Sequence, residues 1–330
     1  MALAVTLNDI QKRLDGNNSF APIIEVLKQS NPIMEDIPFA EGDLPIGNKT
    51  TIRTSLPSPS IRRYNQGVSP TKSGTKQIID VCMNLEDRSS VDVELMRGKP
   101  NPEAYRASED DAHVEGMGQY VAKQLIYGSL ASDPDTFNGI MTRYNTLAGD
   151  KGTYGYQTIS AGTANTGNLN TSLIFVDWGD RKVTGIYPKG MTAGLNTQDL
   201  GENDVIDDKG KPYRALQTLY NWKVGLAVEN VRSIVRVCNI NTATLATLTS
   251  TQSKALIDMF IKAKNRLQFM KNPVCYCSES MKTFMECYLN DKNNVHITRQ
   301  DIQDAPPLLR FSGIPVKQLD CMIDTESAVE

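Results

Sequence analysis

Residues 101–128 read NPEAYRASEDDAHVEGMGQYVAKQLIYG and hold the longest helical pattern of the chain. Asn101 suits a helix N-cap and Pro102 suits the first turn, because proline fixes a helical φ where no donor is needed. Apolar residues then recur at steps of three and four: Val114, Met117, Val121 and Leu125. The pattern predicts a helix from Pro102 to about Tyr127, roughly 39 Å long at ~1.5 Å per residue. We expect its polar first half to meet solvent or another subunit.

Residues 44–79, upstream of this helix, form a basic stretch without a single acidic residue. Prolines and glycines interrupt short β-prone pieces such as 50–54, which predicts a projecting, extended hairpin. The six positive charges are Lys49, Arg53, Arg62, Arg63, Lys72 and Lys76. Residues 80–115 reverse the balance, with ten acidic residues against four basic ones. Neighbouring segments of the chain therefore carry opposite charge.

The first forty residues predict an arm with two short helices. One apolar stripe of the first helix is formed by Leu3, Leu7, Ile10 and Leu14. A second helix is expected to start near Pro22 and to end near Asn31. Because one face of each helix is apolar, we expect the arm to be docked on a partner surface.

Downstream of the long helix, strand and helix patterns alternate. Residues 148–172 are rich in Gly, Thr, Ser and Asn and predict a loop, and residues 199–208 predict an acidic loop. β-prone runs predict strands at 173–176, 182–187, 213–227, 231–240, 273–277, 308–311 and 314–316. The first two of these strands are expected to flank a turn. Ser253 and Ser278 begin two helical patterns, and this mixed order favours an α+β fold.

The bulk composition excludes several classes of protein. The chain has 330 residues with 35 Lys and Arg against 38 Asp and Glu, so its net charge of -3 gives no general attraction to nucleic acid or anionic membranes. No apolar run approaches the roughly 20 residues that span a bilayer, and the N-terminus does not resemble a signal peptide. We therefore expect synthesis and folding in a reducing cytoplasm, with the six cysteines as free thiols.

Candidate catalytic and metal-binding residues are few. His113 and His296 are the only histidines, and neither has a catalytic partner nearby in sequence, so each is interpreted as a surface or interface residue. Cys275, Cys277 and Cys287 lack a fourth ligand at zinc-site spacing and are interpreted as buried thiols. The sequence therefore predicts no catalytic, cofactor-binding or metal site.

Three further features of the sequence favour simple structural roles over binding sites. The Gly-x-Gly at residues 116–118 lacks the third glycine and the preceding strand of a dinucleotide-binding fingerprint. The carboxylates at residues 109–111 point in different directions on a helix, which favours a solvated face over a divalent-cation site. The basic stretch has little aromatic interleaving beyond Tyr64, which favours protein contact over nucleic-acid binding.

Several short motifs are similar to those of phage coat proteins. They are DWG at 177–179, GIYPKG at 185–190, NWKVGLAV at 221–228 and FSGIPV at 311–316. With the order of arm, basic hairpin, long helix and mixed sheet, the chain resembles the HK97-type major capsid proteins of tailed bacteriophages, most closely a short-tailed group. In the commonest version of that fold, a helix-strand-helix module precedes the long strands. Here the module at 253–290 follows them, which suggests a permuted topology.

The resemblance implies a division of the chain into the domains of that fold. These are an N-terminal arm at 1–40, an E-loop hairpin at 41–85, a P domain with its spine helix at 86–137, the first part of an A domain at 138–212, P-domain strands at 213–240, and the A-domain module with final strands at 241–330. The resemblance also implies that the chain has no active site.

The function implied is that of a major capsid protein, which self-assembles into an icosahedral shell around a double-stranded DNA phage genome. The expected partners are copies of the chain as pentamers and hexamers, a portal, a cement or scaffolding protein, and packaged DNA contacted without sequence specificity, with no membrane. The expected location is the virion capsid, assembled in the bacterial host cytoplasm. An encapsulin-like nanocompartment shell is the alternative, and a DNA-binding module is a third class that the acidic balance disfavours.

The opposite charges of neighbouring segments predict a contact between subunits. In a shell the same contact repeats, so a basic projection can dock on an acidic surface of the next copy. The basic residues assigned to this contact are Arg53, Arg62, Arg63, Lys72 and Lys76. The acidic residues assigned to it are Glu103, Glu109, Asp110 and Glu115.

Overall fold

The computed structural model describes residues 29–97, 102–207, 209–268, 270–290, 295–302 and 305–330. Its strands are β1 Phe39–Glu41, β2 Gly47–Ser55, β3 Gly74–Asp92, β4 Thr158–Ser160, β5 Asn170–Asp177, β6 Val183–Tyr187, β7 Leu195–Ile206, β8 Pro212–Val228, β9 Ile234–Asn241, β10 Pro273–Cys277, β11 Ile297–Ile302, β12 Ala305–Phe311 and β13 Ile314–Gln318. Its α-helices are α1 Ile33–Asp36, α2 Val93–Met96, α3 Pro102–Tyr127, α4 Ile140–Arg143, α5 Ser250–Arg266 and α6 Glu279–Tyr288. The two predicted arm helices fall on residues 1–31 and lie almost wholly outside the described residues.

The long helix α3 runs from Pro102 to Tyr127, which confirms both predicted ends. The predicted N-cap Asn101 lies outside the described residues. In the second half of α3, Val121, Leu125 and Ile126 are buried in a core shared with both sheets. Three members of the predicted apolar stripe, Met117, Val121 and Leu125, are therefore buried, whereas Val114 is exposed.

One face of the polar first half of α3 packs on the chain's own strands, so the expectation that this half meets solvent holds for exposed residues such as Glu103 and Asp111 and fails for the packed face. Contact with another subunit stays a prediction. Arg106 donates to Thr218 at 2.9 Å and pairs with Asp199 at 2.5 Å. His113 Nδ1 lies 2.6 Å from Asp87 Oδ2, and its ring stacks on Tyr220. These contacts are polar, which is why an apolar pattern did not reveal them.

The six-stranded sheet is built around β3 and β8. Its order is β1-β6-β8-β3-β2, and β7 also pairs with β8. With 19 residues, β3 is about 63 Å long at ~3.3 Å per residue. Its first part pairs with β2, where Val81 lies opposite Gly47, and its second part pairs with β8 from Cys82 onward. One strand thus joins the predicted hairpin to the body of the protein.

Two glycines permit this change of partner. A Cβ added at Gly225 would lie 2.6 Å from the carbonyl oxygen of Val81. A Cβ added at Gly47 would lie 2.0 Å from the carbonyl oxygen of Asp80. Because neither distance allows a carbon atom, the backbones approach here only as glycine permits.

A buried ion pair fixes the same point. Arg143 Nη1 lies 2.8 Å from Asp80 Oδ1, and the Asp80 side chain is 3% exposed. Arg143 also donates to the carbonyl oxygens of Leu226 at 3.0 Å and Asn138 at 2.9 Å. The pair therefore ties β3 and β8 to the segment that follows the long helix.

The seven-stranded sheet has the order β11-β12-β13-β10-β5-β9-β4. All eight residues of its interior strand β5 are buried. Leu173 and Phe175 face a core with α5 and α6, whereas Ile174 and Val176 face the core that contains α3. The sheet thus separates two apolar layers, which accounts for the continuous apolar run of β5.

Two predictions about this region need correction. The strands at 173–176 and 182–187 exist, but β5 and β6 lie in different sheets and do not form a hairpin. The predicted acidic loop at 199–208 is mostly strand β7, which pairs with β8 from Leu195 to Ile206. All of its side chains are exposed or half-buried and most are polar, so composition alone suggests a loop.

We predict that Arg143→Ala lowers the free energy of unfolding by about 3–5 kcal/mol, because it leaves the Asp80 carboxylate buried without its partner. The matched control is Arg97→Ala, which removes an exposed pair with Glu94 and should cost about 0–1 kcal/mol. Urea denaturation of the isolated subunit measures both. Equal losses for the two variants would contradict the assigned role of the buried pair.

Candidate assembly surface

The basic hairpin, here defined as residues 47–79, projects from the junction that begins at Asp80. It consists of β2, the first part of β3, and a connecting loop at 56–73. Its six basic side chains are all exposed. Since no acidic residue lies in this segment, its charge is not neutralised within the hairpin.

The loop of the hairpin presents two large apolar side chains to solvent. Ile61 and Tyr64 are 100% exposed. A turn holds them, in which the Gln66 amide donates to the Arg63 carbonyl oxygen at 3.2 Å and Arg62 Nε donates to the Gln66 carbonyl oxygen at 2.9 Å. Asn65 has a φ of 64°, a left-handed conformation that asparagine tolerates. The loop thus combines apolar and cationic groups in one exposed turn.

Sequence reasoning did not assign Ile61 and Tyr64 to the contact. Their signal was present, because two large apolar residues flank an arginine pair in a stretch otherwise rich in Ser, Pro and Gly. Exposed apolar residues beside arginine are typical of interface anchors. Their complete exposure became visible only in the structure.

The four acidic candidates all lie on α3, on a different element from the basic hairpin. Glu103 is exposed, whereas Glu109, Asp110 and Glu115 are half-buried. Glu115 accepts from the Gln29 amide at 3.2 Å and from Gln119 at 2.9 Å. Their availability to another copy therefore differs, and Glu103 is the most accessible of the four.

The packing of α3 on the sheet perturbs several ionisable groups. Arg106 lowers the pKa of Asp199 through a direct hydrogen bond. Burial, followed by the neighbouring Asp110 carboxyl, raises the pKa of Tyr220.

His113 is held between Asp87 and Tyr220, so its interpretation as a surface or interface residue is wrong, while His296 is exposed. These groups serve contacts between helix and sheet.

A cleft of about 520 Å³ lies where the hairpin meets the body of the protein. Its lining includes Arg53 of β2 together with Arg181, Glu229 and Arg232. Burial raises the pKa of Glu229, and the nearby negative charges of Asp180 and Asp80 raise it further, while Asn48 and Arg181 oppose the rise. The root of the hairpin therefore contains a carboxyl group that is costly to ionise.

Two of the three cysteines predicted to be buried are buried, and the third is exposed. Cys275 and Cys277 are fully buried, and burial raises the pKa of Cys277 to about 12, whereas Cys287 is exposed. Within the described ranges, no three His, Cys, Asp or Glu side chains lie together as a metal site would require. Likewise, none of the helices described here is both long and apolar enough to cross a membrane.

Comparison with known proteins identifies the class to which this architecture belongs. A family model described as Major capsid protein GP7 matches residues 15–330. The chain therefore belongs to the GP7 major capsid protein family. It is a structural protein of the phage virion capsid, and it associates with its own copies to form the shell.

Solved structures agree with this assignment. A chain from the cryo-EM structure of bacteriophage Epsilon15 is 28% identical, with a TM-score of 0.76 over 100% of this chain and 99% of that one. The bacteriophage JBD30 capsid is 9% identical, with a TM-score of 0.51 over 90% and 93% of the two chains, and supports the HK97-type α+β fold.

A more distant likeness is to an encapsulin from Synechococcus elongatus. It is 11% identical, with a TM-score of 0.43 over 73% of this chain and 97% of that one, and bears on neither fold nor function. No curated protein sequence matches the chain.

We predict that Glu229→Gln stabilises the subunit at neutral pH. With its pKa raised above 4.5, the folded protein keeps a proton that the unfolded chain loses, so the free energy of unfolding falls as pH rises through this range. The glutamine variant removes this loss and should gain little near pH ~3, where both states are protonated. Urea denaturation at both pH values, with Glu35→Gln as an exposed control, measures the difference. A gain at pH ~3 as large as at neutral pH would contradict the raised pKa.

Proposed function

We propose that the basic hairpin holds each copy of the capsid protein to its neighbour by docking over the neighbour's long helix. The observation that carries the proposal is the fully exposed turn with Ile61, Tyr64, Arg62 and Arg63. A turn of this composition contributes nothing to the subunit's own core, whereas buried apolar and arginine side chains stabilise interfaces. The hairpin corresponds to the E-loop of the HK97-type fold, and the domain boundaries given above are proposed with it.

The acceptor is proposed to be the exposed part of α3, with Glu103 as its principal carboxylate. Asp111 is also exposed on this helix and adds to the negative surface. The side chains of Glu109, Asp110 and Glu115 are half-buried within the subunit. We propose that they contribute to the negative electrostatic potential around the acceptor. Each exposed ion pair contributes only ~0–1 kcal/mol, so the charges determine register and partner choice.

The apolar side chains supply the larger share of the affinity. Fully burying a large apolar side chain is worth about 1.5–3 kcal/mol, more than one exposed ion pair. Repetition of the contact around pentamers and hexamers multiplies this gain. We therefore propose that Ile61 and Tyr64 anchor the hairpin and that the arginines orient it.

The wider role proposed for the chain is an icosahedral shell around a double-stranded DNA genome, without enzymatic activity. A portal, a cement or scaffolding protein, and DNA contacted without sequence specificity are its proposed partners, and the bacterial cytoplasm is the proposed place of assembly. Membership of the capsid family supports this role.

We predict that Arg62→Glu together with Arg63→Glu blocks assembly and leaves a soluble, folded subunit. The reversed charges repel the acidic helix of the next copy, while an exposed loop contributes little to folding. Sedimentation and circular dichroism measure the two effects. The control, Lys209→Glu with Lys211→Glu, makes the same change of charge in another exposed loop and should assemble.

Adding Glu103→Arg to the reversed hairpin should restore part of the assembly if Glu103 is the acceptor. Normal shells from the reversed hairpin alone would refute the docking proposal, as would an unfolded subunit.

We predict that Ile61→Ser with Tyr64→Ser weakens assembly more than Arg62→Gln with Arg63→Gln. Because both apolar side chains are fully exposed in the subunit, its melting temperature should not change. The critical concentration for assembly, measured by light scattering, compares the variants. An equal or smaller effect of the serine variant would show that charge carries the contact.

A further inference from the structure

Residues 323–330, here called the strap, lie in a groove formed by the end of the long helix and by β5 and β9 of the seven-stranded sheet. The Ile323 amide donates to the Tyr127 hydroxyl at 3.1 Å. The Glu326 amide donates to the Asn170 carbonyl oxygen at 2.8 Å, as an isolated β-bridge. Most of the groove's contacts to the strap thus reach its backbone, as in the binding of an extended peptide.

Glu326 is the charged centre of this contact. Its side chain is 6% exposed and pairs with Arg236, which is 4% exposed, at 2.9 Å. Its other oxygen accepts from the Tyr127 hydroxyl at 2.8 Å, and Ser172 donates to the carboxylate as well. Every contact to this carboxylate comes from α3, β5 or β9, so the groove provides a complete carboxylate-binding site.

Other residues of the groove hold the Arg236 side chain in position to bind this carboxylate. Arg236 donates to Ser172 at 3.0 Å and to the carbonyl oxygens of Tyr144 at 2.9 Å and Met141 at 3.3 Å. These contacts orient the guanidinium without help from the strap. Because an uncompensated buried charge is strongly unfavourable, the groove has a high preference for an anionic side chain at this position.

Two asparagines recognise the strap backbone on either side of Glu326. Asn170 Nδ2 donates to the Glu326 carbonyl oxygen at 3.1 Å. Asn239 accepts from the Val329 amide at 2.8 Å and donates to the Val329 carbonyl oxygen at 2.9 Å. The Val329 side chain is buried. The site therefore reads a carboxylate and, three residues later, a small apolar side chain.

The walls of the groove are held by packing that does not involve the strap. Leu125 and Tyr144 belong to one apolar core, and Val237 belongs to the other. A cavity of about 300 Å³ remains beside the strap, lined by Tyr127, Met141 and Arg236 among others. The packing of its walls thus defines the groove, and space remains beside the strap.

We propose that this groove is a peptide-binding site for an extended segment with a carboxylate followed three residues later by a small apolar residue. The strap is its ligand within the same chain, and a free peptide of the same sequence binds when the strap is released. This proposal is independent of the hairpin docking, because the two surfaces share no residue.

The test uses the full-length Glu326→Ala chain as receptor and a fluorescent peptide of residues 323–330 as ligand. Hydrogen exchange should show the amides of Glu326 and Val329 opened by the substitution, and fluorescence anisotropy should show saturable peptide binding. A peptide carrying Glu326→Ala should bind at least a hundredfold more weakly. The wild-type chain and the control Ser327→Ala, whose residue is exposed, should take up no peptide because their grooves are filled.

Other outcomes decide against the proposal. A strap that stays protected in the Glu326→Ala chain overturns the role of Glu326, and equal binding of the two peptides overturns the carboxylate preference. An open strap without peptide binding overturns the site itself. If Glu326→Ala does not fold, Glu326→Gln replaces it. If neither folds, recovery of native circular dichroism when refolding includes the wild-type peptide supports the proposal, and no recovery refutes it.

Discussion

The ion pair between Asp80 and Arg143 lies at the point on which the architecture depends. There a single long strand, β3, changes its partner from β2 to β8, and the projecting hairpin becomes the body of the protein. An arginine held by two backbone carbonyls and one buried carboxylate restricts both position and direction. A buried pair of this kind adds little net stability over an apolar alternative, but breaking it is costly, so it favours one arrangement over others. For a hairpin that we propose to dock at the same place in every copy, a defined root is the relevant property.

Much of the fold could be predicted from local patterns. The helix Pro102–Tyr127 was predicted with its described ends because a proline at the first turn and a four-membered apolar stripe act within the element itself. The pairing of strands could not be predicted in the same way. β5 and β6 are adjacent in sequence, yet β5 pairs with β9 and β10, since its two apolar faces require a layer on each side. Which strands pair depends on contacts between residues that are far apart in the sequence. The local hydrophobic periodicity does not show these contacts. The suggested permutation of the family topology stays a prediction.

The candidate site was predictable to the extent that it depends on charge. A run of 36 residues without an acid, followed by an acidic stretch, indicates a basic projection and an acidic surface without any knowledge of the fold. Which carboxylates remain accessible depends on packing. Glu115 accepts hydrogen bonds from two groups of its own chain, while Glu103 stays exposed, and both read as equivalent acidic residues in the sequence. His113 was misread for the same reason, because its partners Asp87 and Tyr220 lie on strands that only the folded chain brings to the helix.

The distribution of polar contacts separates what holds the subunit from what holds the shell. Inside, charged groups occur as pairs whose hydrogen bonds are supplied by several elements, as with Arg236 and Glu326, and these pairs fix the relative position of helix and sheets. Outside, the hairpin carries uncompensated cations and fully exposed apolar groups, which are unfavourable or neutral for an isolated subunit. A shell protein has to fold before it assembles, so contacts that act between copies must not compete with those that act within one. Placing the first set on a projection without acidic residues, as we propose, and the second in buried ion pairs, keeps the two sets of contacts apart.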